Sequence, residues 1–249
     1  MTASLAGLRV LVTRPAHQAG GLLLKLEDAG ASVQALPLLA ITAPQNVDAA
    51  GLALQAGSTA DFWIFTSANA VDGAVALHGA GWPQQLFALG QGSVRALAKH
   101  GHAAIAPEGG SSEDLLLWPE LAELSGKRVL IVTGEGGRTV LADTLRARGA
   151  AVSVARCYRR EAIAHEPVKV RALLAATDVV VLTSGEALNA LMALASLAAK
   201  PLLLPSRRVA AAARAAGCKG PILLPAAVSD AAILSRLEQW QRAPHNDDL

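Results

Sequence analysis

The chain has 249 residues, 52% of them hydrophobic, 17% charged and 3% aromatic, with a formal net charge of +2. That is enough for one large or two ordinary globular domains, and the composition is neither disordered nor fibrous. So balanced a charge gives no broad basic field for nucleic acid or membrane, and so few rings build no stacking platform for bases, although a small acidic ligand can be held locally.

Two cysteines, Cys157 and Cys218, are too few for a disulfide framework and lack metal-ligand spacing, so both are expected as thiols in a reducing compartment. The opening MTASLAGLRV carries no basic region followed by an apolar stretch and a cleavage site. No apolar run approaches the roughly 18 residues of a membrane helix. Together these features read as a cytoplasmic protein.

In chain order, Gly7-Leu8-Arg9-Val10-Leu11-Val12-Thr13 reads as a short strand, followed by Arg14-Pro15, a helical pattern over 18–29 ending at Gly30, and a second strand over 31–36. Residues 37–44 carry two prolines and read as a linker. Strands are expected at 62–65, 86–89, 103–106, 129–132 and 152–155, separated by helical segments, which makes a doubly wound five-stranded unit. A polar linker follows from Tyr158. Further strands at 179–182, 202–204 and 222–224, with helices near 184–196, 206–216 and 229–241, bring the opening two strands to five. Residues 243–249 read as a frayed tail.

A long repeat supports this partition. Asp61-Phe62-Trp63-Ile64-Phe65-Thr66-Ser67 is echoed 117 positions on by Asp178-Val179-Val180-Val181-Leu182-Thr183-Ser184. Gly7-Leu8-Arg9-Val10-Leu11 aligns with Gly126-Lys127-Arg128-Val129-Leu130 at an offset of 119, and Gly30 with Gly149 at the same offset. All five βα units recur in circularly shifted order. The expected fold is therefore α/β, two flavodoxin-like doubly wound parallel-sheet domains joined by a two-stranded linker. The first domain is discontinuous, 1–37 with 163–249; the second, 43–157, is inserted through linker strands at 38–42 and 158–162, and two connections make a hinge.

Doubly wound sheets bind ligands beyond the carboxyl ends of their strands. The loops there carry hydroxyls, glycines and arginines: Thr13-Arg14-Pro15, Thr66-Ser67, Gly90-Gln91-Gly92-Ser93, Thr133-Gly134, Thr183-Ser184-Gly185 and Ser206-Arg207-Arg208. Helix N-termini facing one cleft would hold carboxylates or phosphates through backbone N–H groups, whereas each Ser or Thr taken singly is an ordinary N-cap. No G-x-G-x-x-G is completed and no acidic residue follows the second strand, which argues against a dinucleotide. A Walker loop and a G-x-S-x-G elbow are also absent, and His100 and His102 lack metal-site partners and read as solvated helix-end residues. Arg138, Arg207 and Arg208 are candidates for carboxylate pairing. Tyr158, the only tyrosine, sits among Arg156, Arg159 and Arg160. Its phenol could serve a leaving hydroxyl as proton donor, or its ring could simply pack under the hinge.

The series Arg-Val-Leu-Val-Thr-Arg-Pro, Phe-Thr-Ser-Ala-Asn-Ala-Val, Leu-Gly-Gln-Gly-Ser, Gly-Lys-Arg-Val-Leu-Ile-Val-Thr-Gly-Glu-Gly-Gly-Arg, Val-Ala-Arg-Cys-Tyr-Arg-Arg and Leu-Thr-Ser-Gly resembles the uroporphyrinogen-III synthase family over about residues 8–240. The resemblance implies two α/β domains, the first discontinuous, bridged by a two-stranded ladder. It implies cofactor-free cyclisation of hydroxymethylbilane, a linear tetrapyrrole with eight carboxylates, to uroporphyrinogen III with inversion of ring D. Loss of the terminal hydroxyl leaves an azafulvene cation, ring D attacks through its substituted carbon to give a spiro intermediate, and fragmentation and reclosure invert the ring. By position, Tyr158 matches the tyrosine that assists hydroxyl departure, and Thr66, Ser67, Ser93, Thr183, Ser184 and Gly185 match cleft-lining positions. Arg14, Asn69, Gly134, Arg138, Ser206 and Arg207 complete the expected substrate-binding set, with no metal. Thr133 stands where many members have Arg, and Ser206-Arg207-Arg208 replaces a hydroxyl-rich turn. The expected protein is a monomeric carbon-oxygen lyase of the hydro-lyase kind, with hydroxymethylbilane synthase as a transient partner. The rival readings are a non-catalytic hinged binding or regulatory protein for an anionic tetrapyrrole or metabolite, and a two-domain glycosyltransferase-like enzyme, for which the halves are too short.

Overall fold

The structure, a computed structural model, describes residues 4–78, 81–137, 139–243 and 247–249. The elements of its first half are β1 (Arg9–Val12), α1 (Ala16–Asp28), β2 (Ser32–Ala35), β3 (Leu39–Thr42), α2 (Val47–Gly57), β4 (Phe62–Phe65), α3 (Ala68–Leu77), β5 (Leu86–Ala88), α4 (Gln91–Lys99) and α5 (Ser112–Leu115). After a 3₁₀ turn at Pro119–Leu121 come β6 (Arg128–Gly134), α6 (Val140–Ala147), β7 (Ala151–Ala162), α7 (Pro167–Ala175), β8 (Val179–Val181), α8 (Gly185–Leu194), β9 (Leu202–Leu203), α9 (Arg207–Ala215), β10 (Ile222–Leu223) and α10 (Asp230–Arg242).

The chain divides into two units, residues 1–40 with 161–249, and residues 41–160. The first unit holds a five-stranded sheet in the order β10-β9-β8-β1-β2, its neighbours parallel. The second sheet runs β3-β7-β6-β4-β5, parallel from β7 to β5. Beyond β5 a single parallel bridge joins Phe87 to Ile105. Read through the repeat, β2-β1-β8-β9-β10 corresponds to β7-β6-β4-β5-Ile105. Both units therefore have one strand order, reached from different starting points in the chain, and in the first unit it is the flavodoxin-like order 2-1-3-4-5.

Some details differ from the sequence expectation. The strand expected at 103–106 is reduced to one bridge, because Ala103, Ala104 and Ala106 have little β preference and Pro107 cannot donate to a ladder. The segment 158–162 continues β7, which is one strand through Ala162 with β3 beside it on the sheet.

The central strands read as unbroken apolar runs because helices cover both of their faces. In β4, Trp63 and Phe65 enter one core while Phe62 and Ile64 enter the other. In β1, Val10 and Val12 face one core and Leu11 the other. Helix ends are set locally. At the end of α1, Gly30 takes φ +92, its N–H reaching Glu27 O at 2.8 Å and that of Ala31 reaching Leu26 O at 3.0 Å; Gly149 ends α6 in the same way at φ +91. A side chain with a Cβ is strained in that backbone region.

One contact occurs in both units at the amino end of the paired central strands. Asp178, just before β8, accepts the Arg9 backbone N–H at 2.8 Å and its Nε at 3.0 Å. Asp61, just before β4, accepts the Arg128 backbone N–H at 2.8 Å and lies 3.4 Å from Lys127 Nζ. The side-chain hydrogen bonds from Arg9 hold the Asp178 carboxyl below its ordinary value, and the Arg128 backbone N–H does the same for Asp61.

The expected frayed tail is not observed in its described part. Asp248 donates its N–H to Ile222 O at 3.1 Å, and its carboxylate accepts from the Leu224 N–H at 2.8 Å and Arg236 Nε at 2.9 Å. Asp247 accepts from the Ile222 N–H at 3.2 Å. The tail thereby satisfies the open backbone of edge strand β10, a need that the sequence of the tail alone does not reveal.

A carboxyl held low in the folded state favours folding above its ordinary value, near 3.8 for Asp178, and that contribution fades as pH falls through the lower folded value. Asp178→Asn should therefore lower the melting midpoint at neutral pH by a few degrees. It should also flatten the loss of stability between roughly pH 5 and pH 3 relative to wild type, as read by circular dichroism melts. An unchanged acid response would uncouple this carboxylate from folding.

Candidate active site

In the second unit β6 returns through α6 to β7 on one side, while β4 returns through α3 to β5 on the other. The loops after β4 and β6 thus part from each other, and a crevice opens beyond the carboxyl ends of two neighbouring strands. A cavity of about 260 Å³ occupies this position, lined by Thr66, Ser67, Ser112, Thr133, Gly134, Thr139, Arg156, Tyr158 and Arg160 among others.

Its most buried polar group is the phenol of Tyr158, a residue only 4% exposed. The phenol oxygen accepts a hydrogen bond from Ser67 Oγ at 3.1 Å and another from Arg160 Nη1 at 2.9 Å. Ser67 is also the N-cap of α3, its Oγ accepting the Ala70 N–H at 3.1 Å, so capping the helix fixes the hydroxyl that meets the phenol. The ring needs a glycine beneath it: a Cβ on Gly134 would lie 2.5 Å from Tyr158 Cζ. The register between β6 and β7 slips at the same place, Thr133 pairing with Arg156 and Gly134 with Tyr158. Such irregularities re-aim side chains at the rim of a sheet.

Val154, Arg156, Tyr158 and Arg160 alternate along β7 and all line the cavity. The sequence drew attention to Arg156 and Arg160 only as neighbours of Tyr158; their even spacing from it along a strand is the signal that places them on its face. Thr66 Oγ1 donates to Thr133 Oγ1 at 2.8 Å across the floor of the crevice. The N-cap Thr139 supplies no side-chain cap to α6, and Thr139, Leu141 and Ala142 at the start of that helix line the cavity. Cys157 points away into the core, where burial pushes its thiol up to about 12, and both cysteines are free thiols, that of Cys218 raised by burial as well.

The other expected site residues fall in several places. Asn69 lies half-buried in the first turn of α3 and Ser93 is buried in α4, while Arg138 lies outside the described residues. In the first unit Ser184 and Ser206 are N-caps, accepting the Ala187 N–H at 3.1 Å and the Val209 N–H at 3.4 Å. Thr183 precedes the first of these, Gly185 opens α8 and Arg207 opens α9. Arg207 borders a hollow with Arg236 and Asp248. Arg14, only 8% exposed, forms an ion pair with Asp230 and donates to Val228 O at 3.2 Å. Through the repeat Arg14 corresponds to Thr133, so the first unit's switch point carries an engaged guanidinium where the second has a hydroxyl. His102, expected in solvent, lies flat on Trp82 with ring centroids 4.4 Å apart. Among the described residues no group of three His, Cys, Asp or Glu side chains is placed to hold a metal ion, and no helix is long and apolar enough to cross a membrane.

A family model described as uroporphyrinogen-III synthase HemD matches residues 22–229. Uroporphyrinogen-III synthase of Escherichia coli K12 is 36% identical over 198 residues, 75% of this chain and 80% of the relative. That of Proteus mirabilis is 36% identical over 160 residues, 61% of this chain and 80% of the relative. A crystal structure of a mutant uroporphyrinogen III synthase from Thermus thermophilus superposes with a TM-score of 0.62 at 20% identity, covering 96% of this chain and 99% of the other. At that identity the superposition speaks for the fold alone.

Gly134→Ala should force the Tyr158 ring from its place, because the added methyl overlaps three ring carbons within 2.8 Å. A cost of about 1–3 kcal/mol is expected from such overpacking. With one tyrosine in the chain, a tyrosine-labelled NMR spectrum reports the ring through a single set of signals. Those signals should move in the variant while the rest of the fold is kept, and unmoved signals would contradict the close packing.

Proposed function

The chain belongs to the uroporphyrinogen-III synthase family, and we infer that it closes hydroxymethylbilane to uroporphyrinogen III with Tyr158 as the proton donor. The observation that supports Tyr158 in this role is the double acceptance at its oxygen. With hydrogen bonds arriving from Ser67 and Arg160, the phenol's own proton is the part of the group left to hand on.

The phenol gives that proton to the terminal hydroxyl of the bilane, the C–O bond breaks with its electron pair on oxygen, and water departs. The pyrrole nitrogen's lone pair forms the azafulvene cation that remains. Ring D attacks through its substituted carbon, the spiro intermediate fragments, and reclosure inverts the ring. The proton shed as the last pyrrole regains aromaticity returns to the phenolate. One bilane becomes one macrocycle and one water, with no change of oxidation state, which corresponds to a hydro-lyase.

A cavity of about 260 Å³ is smaller than a pocket for a whole ligand of this size, so it takes one end of the substrate and leaves the rest to the surrounding loops. Arg156 and the first turn of α6 supply charge and N–H groups for a carboxylate at that end. Thr66, Ser67, Asn69, Ser93, Gly134 and Arg138 in the second unit, and Arg14, Thr183, Ser184, Gly185, Ser206 and Arg207 in the first, are the proposed substrate-binding residues. Arg14 would have to exchange Asp230 for a substrate carboxylate. Holding the flexible chain in one folded form favours the inverted closure over spontaneous head-to-tail cyclisation. The protein is proposed to act as a cytoplasmic monomer, receiving its substrate from hydroxymethylbilane synthase by transient contact.

In an assay that generates hydroxymethylbilane in place and separates the oxidised porphyrin isomers by chromatography, isomer III should predominate and rise with added protein. Isomer I alone, formed at the spontaneous rate, would leave a binding protein without turnover. Tyr158→Phe should lower turnover by at least tenfold with the melting midpoint unchanged, whereas a loss smaller than about threefold, under 1 kcal/mol of barrier, would remove Tyr158 as donor.

A further inference from the structure

We propose that Arg160 is the positioning residue of the proton donor, holding the Tyr158 phenol in the orientation that aims its O–H into the cavity and stabilising the phenolate left behind. The inference deepens, and rests on, the assignment of Tyr158 as donor.

One guanidinium touches the phenol in two ways. Its Nη1 lies 2.9 Å from the phenol oxygen, and its Cζ sits 5.5 Å from the centroid, over the ring. The first contact fixes the oxygen and the second fixes the ring plane. Both follow from the spacing of the two residues, which puts their side chains on one face of β7. Gly134 closes against Cζ, Cε1 and Cε2, and Ser67 fills the other acceptor position of the oxygen. The ring is therefore held by a backbone, a helix cap and a cation, and only the cation can answer the charge that develops as the proton leaves. Arg156 lines the same cavity from the same strand without a hydrogen bond to the phenol among the described contacts, so carboxylate binding falls to Arg156 and orientation to Arg160.

A double-mutant cycle in the coupled isomer assay tests the division, using wild type, Arg160→Gln, Tyr158→Phe and the combination, with Arg160→Lys as the conservative variant. Arg160→Gln should lower kcat on the order of tenfold while changing KM less than about threefold. Arg160→Lys, which keeps charge and a donor without the planar guanidinium, should recover part of the loss. In the Tyr158→Phe background Arg160→Gln should cost less than about twofold, because nothing remains for it to orient. The same fold-loss in both backgrounds, or a loss carried mainly by KM, would overturn the proposal and make Arg160 a substrate contact. Should the Gln variant melt at ambient temperature, the Lys variant is carried through the same cycle with the same criteria. A Tyr158→Phe single variant within about threefold of wild type would remove the donor itself, an outcome visible before Arg160 is changed.

Discussion

The parallel pairing of two central strands whose connections leave in opposite directions is the constraint on which each unit depends. In the second unit β4 and β6 lie side by side with Phe62 opposite Val129 and Phe65 opposite Val132, and in the first β1 and β8 lie with Val10 opposite Val179. Asp61 and Asp178 each bind the first backbone N–H of the neighbouring strand, so the register is pinned where the ladder begins. Pinned at one end, the strands finish level at the other. There the connections diverge, and in the second unit a crevice opens between them.

What the two units do with that crevice differs by a few residues. The second unit has Thr133 and Gly134 at the end of β6, small enough to admit a tyrosine ring from β7 and leave a cavity beside it. In the first, Arg14 takes the position of Thr133 and is drawn to Asp230, next to Gly21, where a Cβ would come within 2.9 Å of the Asp230 carboxylate. A duplicated scaffold has thus seated a buried phenol in one copy and an ion pair in the other, with Thr133 and Arg14 at the same position of the fold.

The chemistry assigned to the site asks little of the protein in the way of nucleophiles. Departure of a hydroxyl needs a proton, a stabilised conjugate base and an anion-tolerant surround. In the proposed mechanism these roles fall to Tyr158, Arg160 and the N-terminus of α6, all at one cavity. Cys157, next to Tyr158 in sequence, is buried among apolar side chains, and burial pushes its thiol up to about 12.

Much of this was legible in the chain. The apolar runs, the glycines that end helices and the hydroxyls that begin them are local signals, and the repeat at offsets of 117 and 119 carried the circular shift that both strand orders now display. The series of motifs in order carried the resemblance to the family. Tertiary structure decided what depends on residues far apart in sequence. It turned 103–106 into a single bridge, ran β7 through the expected linker, and seated Asp248 on the edge of β10. It also gave Tyr158 its partners, since Ser67 lies 91 positions away and only the packing of α3 against β7 brings the two hydroxyls to 3.1 Å. Local propensity sets which elements form; which side chains meet is set by the register and packing of strands that the chain reaches only after it has gone round the sheet.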